Sequence, residues 1–217
     1  MKPIASLVAT AALACSGGVI IAAPAAAAEE APDALVQRVF TGMLDAVKAD
    51  PALRAGDRRK LADLVEERFL PYVHFQHMTT LAVGRFWRQA TPEQQMRLVS
   101  AVRKLVVHAY ADALAQAADG TPTFFPARGG PQDDDIEVRS QVPVAGGALH
   151  VFNYRLEKLA HYGWKVYDLD LSDGWLVVGM KSSFAAEIAK GGIDGLVSRL
   201  EARNHQWERG LPAASRR

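Results

Sequence analysis

The spacing of apolar residues indicates that the first half of the chain is helical. Apolar side chains recur every three or four residues over 36–47, which is the period of an amphipathic helix. Pro51 interrupts this pattern, and Asp57 is a suitable N-cap for a second helix. A shorter helix is predicted after Pro71 and ends at Gly84. This region therefore predicts a succession of amphipathic helices.

The longest helix is predicted to begin after Thr91. Thr91 is a favoured N-cap residue, Pro92 fits the first helical position, and Gln94 lies three residues after the cap, as in a capping box. A long amphipathic stretch follows, with a wide apolar face. The same period places His108 among the polar residues opposite that face.

The second half changes to a period of two, which is typical of β-strands. Apolar and polar residues alternate over 135–144 and again over 152–157, and the glycine pair at 146–147 favours a hairpin turn between them. A second hairpin leads into a strand over 164–171, and 121–125 forms a preceding strand. Together these segments predict a four-stranded antiparallel meander.

The C-terminal part completes the predicted fold. In the last strand, strict alternation places Val166 on one face and Leu169 on the opposite face. A helix is predicted to start at Ser182 or Ser183 and to end at the glycine pair 191–192, and one more helix follows. The predicted fold class is α+β: an N-terminal helical layer packs on a curved, mainly antiparallel four-stranded sheet, with two C-terminal helices.

Residues 1–28 have the features of a secretory signal peptide. Lys2 supplies the positive end, 4–23 is an uncharged apolar stretch, and three alanines at 26–28 offer a cleavage site. Cleavage there leaves about 190 residues, which is enough for one domain with a substantial core. We therefore predict an exported chain.

Two alternatives to cleavage stay open. The apolar stretch can act as a transmembrane anchor, although Gly17 and Gly18 weaken it as a span. Cys15 and its neighbours faintly resemble a lipoprotein cleavage site. In each case we predict one folded domain over 29–204 and a loose C-terminal tail over 205–217.

Composition argues against nucleic-acid binding and against redox chemistry. The chain has 25 basic and 24 acidic residues, and removal of Lys2 with the signal peptide leaves 24 of each. A neutral domain lacks the excess positive charge that nucleic-acid binding requires. Cys15 is the only cysteine, so the cleaved chain has no disulfide and no redox-active thiol.

Two groups of residues are candidate metal ligands. His74 and His77 share roughly one helix face, a spacing that can ligate a metal. The sequence indicates no cysteine or well-placed carboxylate beside them, so we predict a surface pair and no metal site. The acidic run 133–135 lacks the spaced ligands of a calcium loop and is predicted to be a solvated turn.

Asp168 is the strongest candidate for catalysis. A buried aspartate in an open cone of sheet and helices can serve as a general base, as in sites of the ketosteroid-isomerase type. The alternative is a carboxylate at the sheet edge that pairs with Arg155 or Lys165. We predict no enzymatic activity, no catalytic residue and no cofactor.

Several segments resemble the MlaC family, the Tol-type toluene-tolerance proteins. They are GRFWRQATPEQQ at 84–95, PARGGPQDD at 126–134, YRL at 154–156, WKVYDLDL at 164–171 and GGIDGLVSRLE at 191–201. The resemblance implies a periplasmic carrier that moves phospholipid between two membranes and maintains outer-membrane lipid asymmetry. It also implies two partners, an inner-membrane ABC transporter complex and an outer-membrane lipoprotein, and we expect a monomer.

The resemblance further implies an apolar cavity for acyl chains between the helical layer and the sheet. The cavity is expected to be open enough to retain lipid on purification. The implied lining residues are Phe69, Val73, Phe75, Met78, Leu81, Val99, Val102, Val106, Tyr110, Phe152, Tyr154, Val166, Leu169, Leu171, Trp175 and Leu176.

The chain departs from the family pattern after the last strand. Asp173-Gly174-Trp175 and the sequence at 179–181 stand where the family has other residues. A tryptophan near the expected pocket mouth can narrow the pocket or fit a flatter ligand. A hopanoid or other polycyclic lipid therefore stays open as an alternative cargo.

Overall fold

The structure, a computed structural model, describes residues 30–130, 133–144, 146–171 and 174–210. The predicted signal peptide with Cys15, residues 211–217 of the predicted tail, and Asp173 lie outside the described residues. Within the described ranges, none of the helices has both the length and the hydrophobicity that a membrane span needs.

Six α-helices are present in these ranges, and their caps follow the sequence signals. The helices are α1 (Pro32–Ala49), α2 (Pro51–Arg54), α3 (Arg58–Arg68), α4 (Phe75–Val83), α5 (Pro92–Ala117) and α6 (Leu176–Glu208), with 3-10 turns at Leu70–Tyr72 and Gly84–Gln89. Asp57 caps α3 by accepting a hydrogen bond from the Lys60 N–H at 3.1 Å. Thr91 Oγ1 accepts from the Gln94 N–H at 3.2 Å, and Gln94 Oε1 accepts from the Thr91 N–H at 3.0 Å. The capping box at the start of α5 is confirmed.

Four strands form one antiparallel sheet in the order β1-β2-β3-β4, which confirms the predicted meander and the α+β class. The strands are β1 (Thr123–Phe124), β2 (Asp135–Pro143), β3 (Leu149–Leu159) and β4 (Gly163–Leu171). Gly146 and Gly147 in the turn between β2 and β3 have φ values of 87° and 80°. Glycine adopts positive φ at low cost, so this pair allows a tight hairpin turn.

A β-bulge in β4 changes which side chains face the helices. Val166 and Asp168 pair with consecutive residues of β3, so Tyr167 between them is an extra residue. Val166 and Leu169 therefore lie on the same face of the sheet. The prediction that they face opposite ways is wrong, because alternation by two fails where one residue is inserted.

The start of α6 depends on a side chain from the sheet. The helix begins at Leu176 rather than at Ser182, because the Asp168 carboxylate accepts a hydrogen bond from the Val177 N–H at 3.0 Å. This cap comes from β4, so no local motif in the sequence marks the start of the helix. Regular helix geometry is interrupted at Gly192, where φ is 67°, and two helical segments meet there as predicted.

The last turns of α6 pack against α5. The indole of Trp207 stacks on the imidazole of His108 with 3.8 Å between ring centres, and its Nε1 donates to Asp112 at 3.0 Å. His108 is thereby buried, with 7% exposure, although the helical period places it on the polar face. Because α6 continues to Glu208, the packed domain extends past 204, and 205–208 are not a loose tail. A stack between two distant helices leaves no periodic signal in the sequence.

The core between the helices and the sheet is rich in aromatic rings. Phe40 on α1 contacts Phe152 on β3, with 4.9 Å between ring centres. Phe69, at the end of α3, stacks on Tyr110 of α5 at 4.3 Å. The hydroxyls of Tyr110 and Tyr154 lie 3.0 Å apart. Three helices and the sheet therefore meet around one aromatic cluster.

Candidate functional site

A narrow apolar crevice lies between α1, the turn at Leu70–Tyr72, α5 and the sheet. Its cavity volume is only about 10 Å³. One water needs roughly that much room, so the crevice is far narrower than the open cavity expected from the resemblance. Its walls are Leu35, Val36, Val39, Phe40, Phe69, Tyr72, Tyr110, Tyr154 and Val166.

The residues predicted to contact lipid fall into three groups. Those that line the crevice are Phe69, Tyr110, Tyr154 and Val166. Those buried in the surrounding core are Val73, Met78, Val102, Val106, Phe152 and Leu169. Those that are half-buried and not among the crevice walls are Phe75, Leu81, Val99, Leu171, Trp175 and Leu176.

The sequence prediction omits the α1 wall of the crevice. Leu35, Val36, Val39 and Phe40 all lie on the buried stripe of α1 and face the gap. The apolar period over 36–47 was the available signal. It identifies a buried face, but it does not distinguish a face packed on solid core from one that lines a gap.

The crevice walls contain no aspartate, glutamate, histidine, lysine or arginine among the described residues. Their only side-chain polar atoms are the hydroxyls of Tyr72, Tyr110 and Tyr154. Burial raises the pKa of Tyr110 and of Tyr154, so both hydroxyls stay protonated and bond to each other. Such walls are chemically suited to hydrocarbon and carry no acid, base or activated nucleophile for catalysis.

Two cations flank Tyr72 at the edge of the crevice. Arg38 Nη1 donates to Tyr72 Oη at 3.4 Å, and its guanidinium lies 5.4 Å from the centre of the ring. Lys165 Nζ lies 5.8 Å from the same ring centre and donates to the Pro71 carbonyl at 2.7 Å. The hydrogen bonds from Arg38 to Glu30 raise the pKa of the guanidinium. This edge of the crevice therefore carries two cationic side chains, one of which is paired with the Glu30 carboxylate.

Asp168 has a structural role on the opposite face of the sheet. Its carboxylate accepts hydrogen bonds from the N–H groups of Leu169 at 2.8 Å and Val177 at 3.0 Å. Arg155 Nη1 lies 3.6 Å away, so the pairing with Arg155 is the alternative that the structure supports. Burial raises the pKa of Asp168, while these hydrogen bonds and the guanidinium oppose that rise. The carboxylate has no access to the crevice.

Trp175 lies on the same outer face as Asp168. The guanidinium of Arg155 lies 3.9 Å from the centre of a Trp175 ring. Trp175 is not among the crevice walls. Its position therefore gives no support to a polycyclic cargo.

The structure brings a carboxylate to the histidine pair, contrary to the sequence prediction. Glu157 Oε1 lies 2.6 Å from His74 Nδ1 and 2.7 Å from His77 Nδ1. Glu157 belongs to β3, so the contact joins residues about 80 positions apart. Helical spacing alone does not reveal such a partner, and the prediction of a histidine pair without a carboxylate is wrong.

A wider depression lies between α3, α5 and the end of α6. Its cavity volume is about 110 Å³. Burial lowers the pKa of His108 in its wall to about 4, so that ring is neutral near pH 7. Arg58, Asp112 and Arg203 also line it, and this charged lining does not suit hydrocarbon.

Two comparisons with known proteins give matches over most of the chain. A family model described as MlaC protein matches residues 37–202. A solved structure of the phospholipid-binding protein from Ralstonia solanacearum, in complex with a phospholipid, is 40% identical with a TM-score of 0.74. That match covers 81% of this chain and 98% of the other.

Proposed function

Because the chain belongs to the MlaC family, we propose that it is a carrier that holds phospholipid acyl chains between α1, α5 and the sheet. The observation that carries this proposal is the crevice, whose walls are apolar and uncharged. The similarity to a protein solved with a bound phospholipid supports the same class of cargo. Catalysis is disfavoured, because the candidate base Asp168 is occupied as a helix cap on the other face.

The energetics of lipid transfer require a site of this kind. A phospholipid has roughly 30 methylenes, each of which contributes about 0.8 kcal/mol on leaving water. Free diffusion of the lipid through water is therefore opposed by more than about 20 kcal/mol. A carrier must match the affinity of the bilayer approximately, so that both loading and release remain possible. An apolar crevice provides this without catalytic groups.

Lipid entry requires the crevice to widen, and we assign that movement to α1. The sheet wall is held by continuous ladders of backbone hydrogen bonds. In contrast, the polar contacts of α1 include single bonds such as Arg38 to Tyr72 and Lys48 to the Gly120 carbonyl at 3.2 Å. Asp50 ends α1 and caps α2, so it is a suitable hinge. Moving one amphipathic helix exposes less hydrogen-bonded backbone than opening a sheet.

The charged edge is proposed to receive the polar end of the lipid. Arg38 and Lys165 flank Tyr72, and a phosphate group would replace the Glu30 carboxylate that now pairs with Arg38. Arginine binds phosphate through paired N–H donors, and lysine binds it as a point charge. Neither group distinguishes one phosphate-linked headgroup from another, so we expect little headgroup selectivity.

The remaining parts of the role follow the family. We propose that the protein is exported to the periplasm, exchanges lipid with an inner-membrane ABC transporter complex and an outer-membrane lipoprotein, and thereby maintains outer-membrane asymmetry. The nearly neutral charge of the chain fits a carrier that leaves both membranes.

Native mass spectrometry and a vesicle assay together test the carrier function. The purified protein should carry one diacyl phospholipid per chain, identified after solvent extraction. The same protein should move a fluorescent phospholipid from donor to acceptor vesicles that do not fuse. A chain that carries no lipid, even after incubation with phospholipid vesicles, would contradict the proposal, and bound hopanoid alone would point to the polycyclic alternative.

A further inference from the structure

The strongest unassigned feature lies outside the crevice, where α4 meets the sheet. His74 immediately precedes α4, and His77 lies in its first turn. Both Nδ1 atoms face the same Glu157 oxygen, at 2.6 Å and 2.7 Å. Elsewhere in the described parts of the chain, no trio of histidine, cysteine or acidic side chains is clustered closely enough to hold a metal ion.

These donors match the ligands of a first-row transition metal. Two imidazole nitrogens and one carboxylate oxygen, with the fourth position left to water, form a recognised zinc ligand set. Ligands at about 2.0–2.1 Å from a tetrahedral ion lie roughly 3.3 Å from one another. The present separations are hydrogen-bond distances, so side-chain shifts of less than about 1 Å would admit an ion.

The three side chains are positioned by their surroundings and stay accessible. The His74 N–H donates to the Val166 carbonyl at 2.8 Å, which holds the backbone of His74 against β4. The side chains of His74, His77 and Glu157 are 33%, 34% and 20% exposed. Partial exposure lets an ion enter, and a held backbone reduces the entropy lost when it binds.

One ammonium group and one carboxylate lie beside the cluster. Lys165 is the cross-strand neighbour of Glu157, but its ammonium group donates to the Pro71 carbonyl at 2.7 Å. On the other side, Asp135 is paired with Glu157 across β2 and β3. Tyr167 stacks on His77 and donates to the Asp135 carboxylate. A second negative charge is thus held beside the ligand set, as in the outer shell of metal sites.

We propose that His74, His77 and Glu157 bind a divalent first-row transition metal ion, with zinc as the representative ion. The bound ion would tie α4 to β3 next to the edge strand β4. This site is separate from the crevice walls, so it does not depend on the carrier function. Its metal would have a structural role, because it would link α4 and its N-terminal residue to β3.

Calorimetric titration of the purified protein with zinc chloride tests the site, using protein without a histidine tag. We expect one zinc ion per chain, bound with about micromolar affinity or better. His77→Gln and Glu157→Gln should each weaken binding at least about tenfold, since outer-shell changes alone have that effect. Cobalt should give the visible absorption bands of a four-coordinate site, and these should disappear in both variants.

His205→Gln is the matched control. His205 Nδ1 lies 3.2 Å from Glu208 Oε2, so this pair has the same chemistry but lacks a second histidine. Its loss should leave the stoichiometry and affinity unchanged. Wild-type protein that binds no zinc, or equal weakening in all three variants, would overturn the proposal. Circular dichroism identifies a variant that fails to fold. If His77→Gln or Glu157→Gln fails to fold, the cobalt spectrum of the remaining one of these two variants tests the site.

Discussion

Filling the crevice should weaken lipid binding in proportion to the volume filled. Val39 lines the crevice from α1 and is 9% exposed. Val39→Phe adds about four carbon atoms, which would displace about four lipid methylenes at about 0.8 kcal/mol each. The expected loss is about 3 kcal/mol, on the order of a hundredfold in the dissociation constant. Val39→Leu adds about one carbon and should raise the dissociation constant about fourfold.

The assay is equilibrium binding of a fluorescent phospholipid, combined with transfer between vesicles. Val178→Phe is the matched control, because Val178 is 63% exposed on α6 and is not a crevice wall. It should bind lipid as the wild type does. Urea unfolding shows whether a variant binds less lipid because its crevice is filled or because its fold is destabilised. If Val39→Phe is unstable, Val39→Leu is the variant to use. Full lipid binding by a folded Val39→Phe protein would refute the assignment of the crevice as the lipid site.

Three further predictions concern groups near the crevice and in the core. Tyr154→Phe should cost about 1–2 kcal/mol in urea unfolding, because it leaves the buried Tyr110 hydroxyl without its 3.0 Å partner. The double variant Tyr110→Phe/Tyr154→Phe should lose less stability than the sum of the losses in the two single variants. Because the folded-state pKa of His108 is lowered from 6.5 to about 4, the wild type should lose stability as pH falls from about 6.5 toward 4, and His108→Gln should remove that slope. Because the pKa of Asp168 is raised, its protonated form stabilises the fold at low pH and that contribution is lost as pH rises. Relative to the wild type, Asp168→Asn should therefore become more stable as pH rises above 3.8, the ordinary pKa of the group, without loss of lipid binding.

Features that depend on neighbouring residues were readable from the sequence. The capping box of Thr91 and Gln94, the hairpin at Gly146-Gly147 and the interruption at Gly192 all appear as predicted. In each case the residue type acts on its own backbone or on a group within one helical turn. Such signals are local, and distant contacts do not alter them.

Features that depend on distant contacts were not readable. The bulge at Tyr167 turns Val166 and Leu169 to one face, although neither residue differs from an ordinary strand residue. Asp168 caps α6 from β4, and Glu157 reaches the two α4 histidines from β3. A helical or strand period states which side of an element is buried, but it does not state which element lies against it.

The narrowness of the crevice follows from the stability of the empty protein. A dry void costs about 24 cal/mol for each Å³, so holding open an empty ligand-sized cavity of about 300 Å³ would cost about 7 kcal/mol. That is comparable with the whole stability of a typical domain, about 5–15 kcal/mol. Closing α1 onto Tyr110 and Tyr154 avoids most of this cost, and the buried hydroxyl pair is then sealed from water. Acyl chains that enter replace the lost protein contacts with their own. Opening the crevice therefore offsets part of the free energy gained when the lipid leaves water. The affinity of the protein for lipid is lowered toward that of a bilayer, and release becomes possible.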